Sequence, residues 1–210
     1  MYIPRQFALS DDEAAAALQT AGFAYLVTAT SDGLMVTPLP LIYDETAQSL
    51  IGHVSRANPH WRASGAESVA IFAGAHAYIS PSLYATKAET GKVVPTWNYE
   101  VFNVYGTLTA HDDPDWVLAL VTKLTDHHER DRPMPWQVTD APDGFIATQR
   151  KAIVGVELTI SRVEGKAKMS QNQPERNREG VIAALGDSDS MLDRLVADQV
   201  TARSVRRPPG

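Results

Sequence analysis

Residues 53–61 combine a cation, short hydrogen-bonding side chains and a helix start. The preceding run 49–52 has strand character, and Asn58-Pro59 is typical of a cap followed by proline at the first helical position. A helix N-terminus offers unpaired backbone N–H groups, and Arg56 can bind a phosphate through two parallel hydrogen bonds. Further donors are His53 and Ser55. The pattern predicts an anion-binding corner; the alternative is a surface turn in which Arg56 meets a carboxylate.

Two further segments contain residues that can contact a ligand. The run 94–99 places Trp97, Asn98 and Tyr99 at a strand entrance after a proline. Aromatic side chains there can flank a planar ligand, although Trp97 and Tyr99 lie on the same strand face and equally suit a core or dimer contact. The segment 168–172 is polar, and either folds over a ligand or forms a solvated linker.

Other kinds of chemistry find little support in the sequence. The chain has no cysteine, which excludes disulfides and thiol chemistry. No hydrolytic triad, phosphate-binding P-loop or dinucleotide fingerprint is visible. No metal site is expected, because the adjacent His127 and His128 point about 100° apart on a helix.

The charge balance bears on possible partners. The formal net charge is −6, with a pI near 5.5, so direct binding to nucleic acid is not expected. The basic cluster 203–207 is interpreted as part of a frayed C-terminal tail. No signal peptide or membrane-spanning run is recognised, so the expected location is the cytoplasm, without membrane association.

The positioning elements are predicted to be mainly strands. A helix is predicted at 10–20, then strands at 23–30 and 34–43 joined by a hairpin at 31–33, and a third strand ending at His53, which suggests a meander. Prolines 38 and 40 place part of the second strand at an edge or next to a ligand. Later strands are predicted within 68–84, 97–109 and 152–162, and helices at 59–64, 113–124, 142–150, 174–185 and 188–200. Such strands with peripheral helices favour a closed or split β-barrel over a βαβ sheet.

Five segments in this order resemble the PaiB family. They are Met1-Tyr2-Ile3-Pro4 with Phe7, residues 52–61, residues 76–82, residues 94–99 and residues 168–172. The resemblance implies an FMN-binding split β-barrel, related to pyridoxamine-phosphate oxidase, and a homodimer with FMN at its interface. We expect this domain to span 1–163, followed by a polar, flexible segment and two short helices within 164–210.

The resemblance also implies a set of FMN contacts. The corner would hold the phosphate, the second strand would line the ring, and the partner subunit would add contacts from the two other segments. The implied residues are Thr37, Pro38, Leu39, His53, Ser55, Arg56 and Asn58, with Trp97, Asn98, Tyr99, Lys168, Gln171 and Asn172 from the partner. The chain departs from the family pattern at Ala75, Leu83, Asn103 and Asn177, which bears on cofactor affinity.

Three functions are compatible with these features. The family is named for negative transcriptional regulation, so the first is a regulator acting through flavin state or a protein partner. The second is an FMN-dependent oxidoreductase that uses NAD(P)H or oxygen, with His53 and Tyr99 as candidate acid–base groups. The third is a cofactor-free interaction module.

Overall fold

The computed structural model describes residues 1–205 and the side chains of residues 1–204. Within this part, the chain is mainly β, and it forms two compact units. We call residues 13–72 and 103–163 unit I, and residues 1–12, 73–102 and those from 164 onward unit II. The predicted fold class, strands with peripheral helices, is confirmed.

Unit I begins its sheet with a tight hairpin. Strand β1 (Phe23–Thr30) pairs antiparallel with β2 (Gly33–Pro40), and Thr30 lies opposite Gly33. Gly33 has a φ of 115°, a backbone conformation that residues with a side chain rarely adopt. The hairpin predicted from the Ser-Asp-Gly turn is therefore confirmed.

The second predicted strand is broken at Leu41. Its last part forms β3 (Ile42–Asp44), which pairs with β4 (Ser49–Ser55). The strand order is β2-β1-β5-β6-β7-β4-β3, so β2 and β3 lie at opposite ends of the sheet although one residue joins them. The predicted three-strand meander is thus confirmed only in part: both antiparallel pairings form, but through two separate strands, β2 and β3, rather than through one. The predicted edge position of β2 is confirmed.

Three long strands complete the sheet. They are β5 (Glu67–Ile79), β6 (Thr96–His111) and β7 (Ile153–Lys168). In unit I, β5 pairs with β1, and β7 pairs with β4 so that His53 lies opposite Gly155.

Helices cover part of unit I. Helix α1 (Asp11–Gln19) precedes β1, and α3 (Pro114–Glu129) and α4 (Asp143–Arg150) lie between β6 and β7. The carboxylate of Asp113 caps α3 by accepting hydrogen bonds from the backbone N–H groups of Asp115 and Trp116. Leu120 and Leu124 of α3 then pack against Ile42 and Ile51, which are also buried.

Unit II surrounds a separate apolar core. Helices α2 (Thr86–Thr90), α5 (Glu175–Gly186) and α6 (Met191–Val205) belong to it. Val181 of α5 and Val196 and Val200 of α6 pack with Met169 and Ile79. No helix in the described part of the chain combines the length and apolar character needed to span a membrane.

The segment that follows residue 163 differs from its prediction. Its polar composition predicts a flexible segment, but β7 continues to Lys168. Lys166 is buried, donates to the carbonyl of Tyr2, and has its ammonium 5.1 Å from the ring centroid of Tyr99. The polar composition is misleading because the ammonium of Lys166 lies against the Tyr99 ring and donates to a backbone carbonyl.

The predicted basic tail also starts later than expected. Arg203 belongs to α6 and pairs with Glu100 at 3.2 Å, so it is not part of a frayed end. Residues 206–210 lie outside the described residues.

Candidate functional site

The corner after β4 forms a compact turn. Asn58 donates its backbone N–H to the carbonyl of Ser55, and the Trp61 indole N–H donates to the carbonyl of Arg56. The predicted helix is a 3-10 helix of five residues, Pro59–Ala63, in which the Asn58 side chain accepts from the backbone N–H of His60. A helix this short, whose first backbone N–H group is already hydrogen-bonded, adds little positive electrostatic potential at the corner.

Arg56 binds within its own chain. Its guanidinium donates to both carboxylate oxygens of Asp112, at 2.9 and 2.5 Å, and to the carbonyls of Lys151 and Ile153. Hydrogen bonding to Arg56 lowers the pKa of Asp112, and the same pair raises the pKa of Arg56. The observed arrangement is therefore the alternative in which Arg56 meets a carboxylate. These bonds use four of the five N–H groups of the Arg56 guanidinium, and the fifth has no acceptor among the described residues.

A basic cavity of about 380 Å³ adjoins this ion pair in unit I. Its lining includes Arg56, Arg150 and Lys151 and the single carboxylate of Asp112. The buried Nε of Arg150 has no hydrogen-bond partner among the described residues. Sequence reasoning missed the last three residues, because positions 56, 112 and 150 share no local pattern.

A chain of buried hydrogen bonds lies behind the corner. His60 is fully buried, with Nδ1 2.7 Å from the Thr37 hydroxyl and Nε2 2.8 Å from the Thr28 hydroxyl. Asn58 donates to Thr37, and Thr28 lies 2.6 Å from the Ser68 hydroxyl. Burial lowers the pKa of His60. One consistent assignment gives each proton one acceptor: neutral His60 donates from Nε2 to Thr28, and Thr37 donates to Nδ1.

The other predicted corner residues face different directions. Thr37 and Leu39 are buried, whereas Pro38 between them is exposed. His53 is half-buried, burial lowers its pKa, and its buried Nδ1 has no partner among the described residues. Ser55 is exposed at the end of β4 and accepts from the backbone N–H of Ala57.

The outer side of the β1–β2 hairpin is an exposed apolar surface, which we call the apolar face. Tyr25 is 47% exposed and Val36 is 57% exposed, and both belong to a set of paired residues with no charged member. The set is Phe23, Tyr25, Val27 and Ala29 of β1 with Leu34, Val36, Pro38 and Pro40 of β2. A contiguous apolar patch of this kind is typical of an interaction surface.

The predicted partner contacts in unit II divide between two sides of β6. Asn98 is fully buried, whereas Trp97 is 52% exposed and lies against His76 and Tyr78. Successive strand side chains alternate between faces, so Asn98 cannot share a face with Trp97 and Tyr99.

Asn98, Lys168 and Asn172 do come together. They line a cavity of about 440 Å³ within unit II. Gln171 does not line it, and its carboxamide accepts from the backbone N–H of Met169 and donates to the carbonyl of Ala167. Gln171 therefore holds the turn after β7.

Two of the residues that depart from the family pattern, Asn177 and Asn103, make side-chain hydrogen bonds. Asn177 is buried and donates to the side-chain oxygens of Thr86 and Gln173, whereas an ionised aspartate has no N–H to donate. Asn103 donates to the Tyr105 hydroxyl at 3.4 Å, and its buried Oδ1 has no partner within the described part of the chain. Ala75 and Leu83 pack against the core of unit II.

Comparison with known proteins establishes the family. Residues 1–162 match the family described as "Putative FMN-binding domain", which covers most of the chain. The chain belongs to this FMN-binding family, of the PaiB type. FMN is accordingly its cofactor.

Individual members of the comparison agree with this assignment. The chain is 35% identical over 194 residues to an uncharacterized protein of Aspergillus fumigatus, covering 76% of this chain and 74% of that protein. It is 29% identical to the protease synthase and sporulation protein PAI 2 of Bacillus subtilis, covering 94% and 95% of the two chains. The FAD and heme binding protein of Mycobacterium smegmatis shares the fold, with a TM-score of 0.57 at 16% identity over 83% of this chain and 78% of that one. The split-barrel fold is thereby confirmed.

The donor chemistry of the corner fits the phosphate group of FMN. Arg56, Arg150 and Lys151 outnumber the carboxylate of Asp112 in the basic cavity, and the orphaned Nε of Arg150 marks a donor in need of an acceptor. The Ser55 hydroxyl is exposed beside them. Bound FMN supplies redox chemistry through its ring system, while these residues would hold its phosphate.

Proposed function

We propose that this protein is a homodimeric, FMN-dependent regulator whose flavin state controls contact with a protein partner, and through that partner transcription. The end-to-end match to a protein named for protease synthase and sporulation carries the proposal. The net charge of −6 supports action through a protein partner, because a direct grip on DNA requires a dense basic surface.

Homodimer formation is supported by the apolar face. Tyr25 and Val36 would bring their exposed side chains into a contact with a second copy, where burial of apolar area favours association. In such a dimer each subunit would hold the FMN phosphate at its own corner, through Arg56 and Ser55. The exposed Trp97 and the half-buried Tyr99 of the other subunit would contact the ring.

The regulatory role is tested by comparing transcripts in three strains. One carries the wild-type gene, one lacks it, and one encodes Arg56→Ala. Removal of a charged hydrogen-bonding group should lower FMN affinity by about 10- to 100-fold. We expect the deletion and Arg56→Ala to change the same transcripts. The Arg56→Ala protein should be as abundant as the wild-type protein.

The control is Arg62→Ala, which removes an exposed arginine outside the basic cavity. Normal regulation by Arg56→Ala, or unchanged transcripts in the deletion strain, would contradict the proposal. Sustained NAD(P)H oxidation by the purified protein, with no transcript change, would instead identify an FMN-dependent oxidoreductase.

A further inference from the structure

The cavity of unit II carries positive charge and no negative charge. Two lysines, Lys92 and Lys168, line it, and no Asp or Glu of the described residues does. Its volume of about 440 Å³ lies in the range of small-molecule pockets. The electrostatic character of its walls therefore favours an anion.

Lys168 is the cation best placed to bind that anion. Its ammonium donates to the Thr96 hydroxyl and to the carbonyl of Trp97, each at 2.6 Å. The third N–H group has no acceptor among the described residues and is available to a ligand. Lys168 pairs with no carboxylate within the described residues. Burial, and then the nearby Lys166, lower the pKa of Lys168. A partly buried cation without a counterion is costly, and a bound anion would offset that cost.

The floor beside Lys168 is held together by buried hydrogen bonds. Asn98 and Ser170 are both buried and hydrogen-bond to each other, with the Asn98 amide 3.0 Å from the Ser170 hydroxyl. Ser170 has a φ of 61°, and the Gln171 carboxamide bridges the backbone on either side of Lys168. Strained backbone of this kind persists only where its surroundings fix it. The turn therefore holds Lys168 and the exposed Asn172 in place at the cavity.

The walls also offer apolar contact. Val93, Val94 and the buried Tyr84 line the cavity together with the polar residues. We propose that this cavity is a second ligand site, which binds the carboxylate or phosphate group of a small, partly apolar molecule through Lys168 and Asn172. The site is additional to FMN bound at the corner of unit I, and its ligand would act as a substrate or an effector.

The test uses the FMN-loaded protein and three probe anions. Sodium phosphate, sodium acetate and sodium benzoate are titrated at constant ionic strength, and sodium chloride serves as the reference salt. Two-dimensional 1H–15N spectra follow the amides of Lys168 and Asn172, and the flavin absorbance of each sample is recorded. We expect saturable shifts with the probe anions, and the largest affinity for benzoate, because its ring reaches the apolar wall.

Variants separate this site from other effects. Lys168→Met should weaken probe binding at least 10-fold, and Asn172→Ala at least threefold. Lys168→Arg should retain binding, because it keeps the positive charge at this position. Lys87→Met removes an exposed lysine outside the cavity lining and should bind the probes within twofold of wild type.

Three results would overturn the proposal. They are equal shifts with chloride, unchanged probe affinity in Lys168→Met, and loss of flavin absorbance from Lys168→Met alongside loss of probe binding. The last result would assign Lys168 to the FMN site instead. A colourless wild-type protein that still binds the probes through Lys168 would count against FMN binding and leave the second site standing.

Discussion

Asp112 competes with phosphate for the guanidinium of Arg56. The carboxylate takes one N–H from each terminal nitrogen of the guanidinium, the fork that would otherwise bind a phosphate. Arg56 and Asp112 are 56 positions apart and share no local signal, so the sequence could identify the cation but not its partner. Nothing in the sequence marked Arg150 or Lys151 as lining the same cavity, for the same reason.

Asp112→Asn should therefore tighten FMN binding. Because ion pairs exposed to water are weak, the dissociation constant for FMN should fall only modestly, by about twofold to fivefold. Fluorescence titration of FMN into the apoprotein measures it. Asp44→Asn, which breaks the Asp44–Lys123 pair outside this cavity, is the matched control. Weaker FMN binding by Asp112→Asn would show that the carboxylate organises the site rather than competing for it.

His60 makes folding stability depend on pH. Its pKa is lowered by burial, so between its folded and unfolded pKa values the unfolded chain binds more protons. Stability should therefore rise with pH through this window, which ends near the ordinary value of 6.5. His53 and His127, whose pKa values burial also lowers, add in the same direction. Each of these histidines changes the free energy of unfolding by at most about 1.4 kcal/mol per pH unit.

His60→Gln should be less stable at neutral pH by about 1–3 kcal/mol, because it breaks buried hydrogen bonds to Thr28 and Thr37. It should also show a smaller difference between its urea midpoints at pH 7.5 and pH 5.5. The control is His76→Gln, at an exposed position. An undiminished pH dependence in His60→Gln would show that His60 titrates in the folded state much as it does in the unfolded chain.

Some helices and strands are marked by a local sequence signal, and others are not. The β1–β2 hairpin and α3 carry a turn glycine and an N-terminal cap in the sequence, and both were predicted. The break at Leu41 has no such signal, because it depends on β3 pairing with β4 rather than continuing along β1. The extension of β7 to Lys168 includes Lys166, whose ammonium contacts the Tyr99 ring, a long-range contact that has no local signal.

Close packing at that break makes Gly52 intolerant of a side chain. A Cβ at Gly52 would lie 2.7 Å from the carbonyl oxygen of Pro40 and 2.8 Å from a methyl group of Leu41. Gly52→Ala should therefore lower the free energy of unfolding by about 1–3 kcal/mol, as overpacking does. Urea denaturation measures the change.

Gly144→Ala is the matched control. Gly144 lies in α4, and nothing lies within 4 Å of its added Cβ. The substitution should raise stability by about 0.4–1 kcal/mol, because alanine favours the helix. If both variants had the same stability, the packing of β4 against Pro40 and Leu41 would be looser than described.

At the scale of the whole molecule, the apolar face predicts self-association. The double variant Tyr25→Glu with Val36→Glu places two charges on this face, so it should shift the protein from dimer to monomer in light scattering after gel filtration. If the partner subunit contributes residues to the FMN site, the FMN content of the protein should fall as the dimer dissociates. Met134→Glu, at a position that is 88% exposed and outside the face, should leave the dimer intact. A monomeric wild type, or a dimeric double variant, would contradict the proposed interface.

FMN binding is the basis of the proposed regulatory function, and the absorbance spectrum of freshly purified protein tests it most directly. We expect a yellow protein with a flavin band at about one FMN per subunit, and loss of that band in Arg56→Ala. Colourless protein that fails to bind FMN added at micromolar concentration would contradict the account.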